Sequence, residues 1–280
     1  MTKNKDIGIV LSGGGVRGMA HIGLLQALEE NDIHPQVISG SSAGALVGAL
    51  YAVGCDTEEM LRFFRSTPIF KFAYYSTTKP GLLNTDKYRL FFEQYFPNDD
   101  FSALQKTLYI TATDLINAQG IVFSEGEIIT PLLASASLPP IFTPIEINGV
   151  LYADGGIMDN FPIAPILHHC QSIIGSYVNP VAPLTKEQLT SSVNVIRRAT
   201  ELRFNVEAIN KFPKCDYVFE PSDITSISLI DTKRVDEAYE IGYRTAIENM
   251  DHIKQSLEAA EQKTMKPLDR DRITILRNVI

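Results

Sequence analysis

The chain has 280 residues, enough for one large α/β domain or two small ones. Hydrophobic residues make up 45% and charged residues 21%, an ordinary globular balance that argues against wholesale disorder. With 25 Lys+Arg against 33 Asp+Glu the net charge is −8, so a nucleic-acid partner is not expected, and any transient membrane contact must be apolar and local.

The amino-terminal third alternates strand and helix. Residues 6–12 form a short apolar run that stops at Ser12 and three glycines, the pattern of a buried parallel strand. Lys3 and Lys5 precede it, but the run is too short for a signal peptide, and a cytoplasmic location is expected. Residues 19–30 read as a helix, with Ile22, Leu25 and Leu28 at three-residue spacing and Ala20, Leu24 and Leu28 at four. Residues 36–39 are a second strand and 43–53 a second helix, apolar nearly all round and closed by Gly54. No Asp, Glu, Lys or Arg occurs from Ile33 to Cys55, yet only 43–55 is mostly apolar, too short to cross a bilayer.

Residues 57–101 break the alternation. Thr57, Glu58 and Glu59 open a helix through Phe64, and a second helix is expected over 85–95. Phe70, Phe72, Tyr74, Tyr75, Phe91, Phe92, Tyr95 and Phe96 make this an aromatic-rich insert, read as a helical cap beside the sheet. The α/β pattern then resumes. Strands are expected at 107–113 and 120–124 as a hairpin, and at 151–153, 172–178 and 216–220. Helices are expected at 129–137, 162–169, 185–210 and 232–260. No repeat or low-complexity tract is present. The expected architecture is three-layer α/β/α with a central, mostly parallel sheet, one domain over 1–262 and a tail over 263–280. Cys55, Cys170 and Cys215 are odd in number and widely spaced, which suits reduced thiols rather than a disulfide framework or a metal site.

The chemistry concentrates in three places. Gly40-Ser41-Ser42-Ala43-Gly44 fits G-x-S-x-G between an expected strand and an expected helix. Small neighbours permit a sharp turn that projects Ser42 clear of the sheet, beside the positive end of a helix. Gly13-Gly14-Gly15-Val16-Arg17-Gly18 lies at the first strand-to-helix turn, where uncovered backbone N–H groups suit an oxyanion hole or a phosphate cradle. If the first two strands are neighbours, both turns open at one sheet edge. Gly13, Gly15 and Gly18 also match G-x-G-x-x-G, but the second strand ends in Ser39-Gly40-Ser41-Ser42 rather than the acidic residue a dinucleotide site needs. Met19 and Ala20 after Gly18 exclude a Walker A loop.

A serine nucleophile needs a base. His21 lies inside the first helix and reads as a structural hydrogen-bonder, and His168 and His169 as caps of a helix end. The best base is Asp154, which leaves a strand into the turn Asp154-Gly155-Gly156. Partial burial would raise its pKa from an ordinary value of about 3.9. Asp159 is the fallback base, Asp114 reads as a turn cap, and Arg17 as a structural ion pair rather than a phosphate ligand.

These motifs, in this order, resemble the bacterial patatin-like phospholipases. So do residues 134–144 (ASASLPPIFTP) and Gly156-Ile157-Met158-Asp159-Asn160-Phe161-Pro162, and the likeness spans about residues 5–220. It implies a patatin-like fold and a serine lipid acyl hydrolase. Ser42 would be the nucleophile, Asp154 its partner, and the Gly13, Gly14 and Gly15 amides the oxyanion donors. Arg17, Gly18, Gly40, Gly44, Gly155 and Gly156 would shape the motifs. Neither metal nor cofactor is implied, and the substrate would be a lipid or fatty-acyl ester. Two rival readings are an acyltransferase using the same serine, for which a histidine base would be expected, and a non-catalytic lipid-binding protein.

Overall fold

The computed structural model describes residues 7–67, 81 and 83–265. Phe70, Phe72, Tyr74 and Tyr75 of the insert and residues 266–280 of the tail lie outside the described residues. The strands are β1 (Ile7–Leu11), β2 (Val37–Ser41), β3 (Thr107–Asp114), β4 (Gln119–Phe123), β5 (Ile145–Ile147), β6 (Val150–Asp154), β7 (Ser172–Ser176) and β8 (Tyr217–Phe219). The α-helices are α1 (Met19–Glu29), α2 (Ala43–Val53), α3 (Thr57–Ser66), α4 (Arg89–Glu93), α5 (Ile129–Ser135), α6 (Ser192–Ile209), α7 (Val235–Glu248) and α8 (Met250–Met265).

The strands form one sheet in the order β5-β6-β3-β2-β1-β7-β8, with β4 paired to β3 off that path. β1, β2, β3, β7 and β8 run parallel, whereas β4 and β6 run antiparallel to β3. This is the expected mostly parallel α/β sheet. Side chains of a strand alternate between the two faces. Ile9 and Leu11 therefore enter the larger core, with residues of α1, α2, α3, α5, α7 and α8, and Val10 enters a smaller one with Phe161, Ile163, Ile166, Tyr177 and Ala208.

Three expectations change. The single helix expected over 185–210 is a 3-10 turn, Lys186–Gln188, followed after a break by α6. Residues 162–169 contain only a single 3-10 turn, Ala164–Ile166, instead of a helix. Pro162 and Pro165 each lack a backbone donor, and Pro165 sits in the first positions of the 3-10 turn. His168 and His169 consequently cap nothing helical, and His169 stacks against Tyr109. The helix expected over 232–260 is a 3-10 turn, Thr232–Arg234, followed by α7 and α8, which break at Asn249. There the Asn249 side chain donates to the Thr245 carbonyl at 2.8 Å. α3 opens at Thr57 as expected, and Asp56 caps it: its carboxylate accepts from the Glu59 amide while Glu59 reaches back to the Asp56 amide, a complete capping box.

The described part of the insert packs onto the body. Phe63 of α3 sits edge-on to Phe64, Phe92 and Tyr95 with ring centroids 5.1–5.2 Å apart. Phe92 and Phe96 are buried in the larger core. Leu83 bridges to Phe142, a pairing that the sequence did not suggest.

Candidate active site

The topology brings two strand ends together. β4 covers one edge of β3 from Ile110 to Asp114, so β2 and β6 share the other edge. β2 ends with Ser41 opposite Thr111, and β6 ends with Asp154 opposite Ala112. The two strands thus meet head to head along β3. The residues at the meeting point are Ser42 and Asp154, 112 positions apart in the chain.

Ser42 occupies the turn between β2 and α2 with φ 52 and ψ −125. A non-glycine residue adopts that backbone only when its surroundings impose it, at about 1–3 kcal/mol. The constraint comes from Ser135 of α5. Its hydroxyl accepts from the Ser42 amide at 2.9 Å and donates to the Thr111 carbonyl at 2.7 Å. The glycines of the motif allow close approach. A Cβ on Gly44 would lie 2.2 Å from the Leu11 carbonyl oxygen, and Gly40 and Gly18 abut Gly44 and Ala43.

The Ser42 hydroxyl donates to Asp154 Oδ2 at 2.5 Å. Asp154 Oδ1 accepts from the Gly156 amide at 2.8 Å. The Asp154 amide donates to the Ser137 carbonyl at 3.0 Å, and its carbonyl accepts from Thr113 at 2.8 Å. Gly155 is required here, because a Cβ would lie 2.1 Å from the Thr111 carbonyl oxygen. The carboxylate is 3% exposed, and burial pushes its pKa up to about 6 against the opposing pull of the Ser42 and Gly156 hydrogen bonds.

The glycine loop opens on the same side. Gly13 sits against Ser42, since a Cβ placed on it would be 3.2 Å from the Ser42 Cβ. The Gly13 amide donates to the Asn160 carbonyl at 3.1 Å and is already engaged. No hydrogen bond among the described residues engages the Gly14 or Gly15 amide. Arg17 is buried and its Nε donates to the Ile227 carbonyl at 2.7 Å, so it anchors the loop through a carbonyl, and among the described residues it makes no ion pair of the kind expected.

Ser42, Asp154 and the three glycines border a cavity of about 170 Å³. Leu46, Phe63, Phe64, Phe92, Leu133 and Phe142 are among its apolar lining residues. A cavity of roughly 150 Å³ holds a benzene-sized apolar guest. The enclosed space therefore suits an apolar chain segment, with the Ser42 hydroxyl at its polar end.

The other candidates are occupied elsewhere. His21 Nε2 faces the Ser12 carbonyl at 2.9 Å and must donate, which leaves Nδ1 to accept from the Ser176 hydroxyl at 2.7 Å. Burial lowers its pKa to about 4, so it stays neutral and structural. Asp114 accepts from the Ile116 and Asn117 amides and the Asn117 side chain, the expected turn cap. Asp159 is held by Lys211 at 2.5 Å and by the Phe161 amide at 3.0 Å. Ser135 was not singled out in the sequence, because its role arises from a contact 93 positions away. Among the described residues no group of His, Cys, Asp or Glu could hold a metal ion, and no helix is long and apolar enough to cross a membrane.

Fold and site together define an α/β protein with an elbow serine bonded to a buried aspartate beneath a glycine loop. The family profile for patatin-like phospholipase matches residues 9–167, more than half of the chain, and the chain belongs to that family. An uncharacterized NTE family protein of Mycobacterium bovis is 31% identical over 72% of this chain and 58% of its own length. The chain thus spans a little over half of that relative. Lysophospholipase NTE1 of Cryptococcus neoformans is 28% identical over 90% of this chain and 17% of its own length. Among solved structures, VipD from Legionella pneumophila superposes with a TM-score of 0.59 at 15% identity, covering 91% of this chain and 67% of that one. Human GIVD cytosolic phospholipase A2, bound to methyl gamma-linolenyl fluorophosphonate, gives 0.56 at 13% identity, covering 95% and 61%. Both likenesses are of fold.

Proposed function

We propose that this chain is a serine acyl hydrolase that cleaves fatty-acyl esters of lipids, with Ser42 as nucleophile and Asp154 as general base. The observation that carries the reading is the 2.5 Å hydrogen bond from the Ser42 hydroxyl to Asp154 beside an apolar cavity. Family membership supports the same class of substrate.

An acyl chain lies along the apolar wall and presents its carbonyl to Ser42. Asp154 takes the hydroxyl proton as Ser42 Oγ bonds to the carbonyl carbon. A carboxylate with a pKa of about 6 is a better base than an ordinary aspartate and is still ionised at neutral pH. The oxygen of the tetrahedral intermediate gains negative charge, which the Gly14 and Gly15 amides receive. Collapse expels the alcohol, which takes the proton back from Asp154 and leaves an acyl-Ser42 ester. Water then gives a proton to Asp154 and attacks that ester. The fatty acid departs and the hydroxyl is restored.

The direct test is labelling with a fluorophosphonate probe, followed by hydrolysis of p-nitrophenyl esters and lysophospholipid. Wild-type protein is expected to label and to turn over, and Ser42→Ala to do neither. Equal labelling of the variant refutes the assignment, and labelling with product found only on an added acceptor alcohol or thiol identifies a transferase.

A further inference from the structure

Asn179 follows β7 and is 5% exposed, with its side chain against Gly14. Its Nδ2 donates to the Gly13 carbonyl at 2.5 Å. Only the nitrogen of the amide can face a carbonyl, so the hydrogen bond assigns the orientation of the side chain. The Gly13 carbonyl shares a peptide unit with the Gly14 N–H, and in a planar trans peptide the two point in opposite directions. Whatever holds the carbonyl therefore aims the N–H. The need is specific to this loop: a Gly-Gly linkage rotates at little steric cost, so its peptide plane is not set by its own residues. The amide on the other side of Gly13 is already tied to the Asn160 carbonyl at 3.1 Å, and the Ser12 hydroxyl accepts from the Val178 amide at 3.1 Å. The segment bearing Asn179 is thus stitched to the loop at Ser12 and at the Gly13 carbonyl.

We propose that Asn179 is a positioning residue that turns the Gly13–Gly14 peptide so that the Gly14 N–H meets the oxygen of the substrate carbonyl. The inference rests on the reading of Ser42 as the nucleophile. Asn179 touches no reacting atom. It acts through a backbone amide that matters only when charge develops on that oxygen.

The test compares wild type, Asn179→Asp and Asn179→Ala. Aspartate keeps the size of the side chain but sets a carboxylate against the Gly13 carbonyl, which favours the turned peptide. Fluorophosphonate titration counts competent sites, so a variant that folds poorly is corrected for its active fraction. Per active site, kcat on p-nitrophenyl butyrate is expected to fall about 10- to 100-fold, a share of the roughly 10²–10³ that loss of a whole oxyanion donor costs. KM should hold within about twofold. Affinity for a trifluoromethyl ketone, which adds to the serine as a tetrahedral oxyanion, should fall by the same factor as kcat. A merely structural role would reduce the number of titrated sites and leave per-site kcat and ketone affinity unchanged, and that result overturns the proposal. If wild-type Ser42 fails to label, the nucleophile reading falls and this inference with it. If it labels and Asn179→Asp matches wild type per site, only the role of Asn179 falls.

Discussion

Replacing Asp154 with asparagine separates what the carboxylate does for chemistry from what it costs the fold. Its pKa stands at about 6 in the folded chain against an ordinary 3.8, and the cause is burial. At 1.36 kcal/mol per pH unit the gap amounts to about 3 kcal/mol. The unfolded chain loses this proton near pH 3.8, whereas the folded chain keeps it until about pH 6. The stabilisation that this difference confers is full below the lower value and is lost as pH rises through the upper one. At pH 8 the folded protein therefore carries a buried anion that an asparagine would remove. Asp154→Asn should melt higher than wild type at pH 8, by about 5 °C or more for a chain of this size, with the advantage fading towards pH 4. Its kcat should fall by about 10³-fold or more, since both the base and the hydrogen bond from Ser42 are lost. In wild type, kcat/KM should drop about tenfold from pH 7 to pH 5, following ionisation near 6. Scanning calorimetry and ester hydrolysis across that range measure both. A profile flat between pH 5 and pH 7, or a variant no more stable at pH 8 than at pH 5 relative to wild type, would refute the reasoning.

Three further outcomes follow from the geometry. Ser135→Ala strips the Ser42 amide and the Thr111 carbonyl of a shared partner, so it should cost about 1–3 kcal/mol in urea unfolding and lower kcat through a slackened elbow, while Ser135→Thr restores part of both. Leu133→Trp should fill much of the 170 Å³ cavity, and kcat/KM for decanoyl esters should fall far more than for acetyl esters; equal losses would place the acyl chain elsewhere. Asp159→Asn breaks only the pair with Lys211 and should keep kcat within about threefold; a loss as large as that of Asp154→Asn would make Asp159 the base.

The parts legible in the sequence were those written in consecutive residues. The glycine run, the Ser42 elbow and the Asp154 turn each declare themselves within five or six positions. α2 runs over the expected 43–53 because Ser42 and Gly54 bound it, and Gly54 closes it in a left-handed conformation at φ 98. What was missed depends on partners far along the chain. β5 is three residues long with Glu146 exposed, too short for a period-two pattern. Its hairpin to β6 did carry a signal, since Asn148 and Gly149 have positive φ of 52 and 80, the two-residue turn that Asn-Gly favours. The antiparallel entry of β6 beside β3 left no local mark, and neither did the grip of Ser135 on Ser42. Residues 162–169 misled because their apolar spacing suits a helix while two prolines deny it.

β3 serves as a ruler against which Ser42 and Asp154 are both measured. A slip of one residue in either neighbour's pairing would move its terminus by about 3.3 Å and turn its side chains to the opposite face. The hydroxyl and the carboxylate would then lose one another. A single deletion inside β3 should therefore separate the two groups and disturb the core together, because the strand that measures them is itself buried.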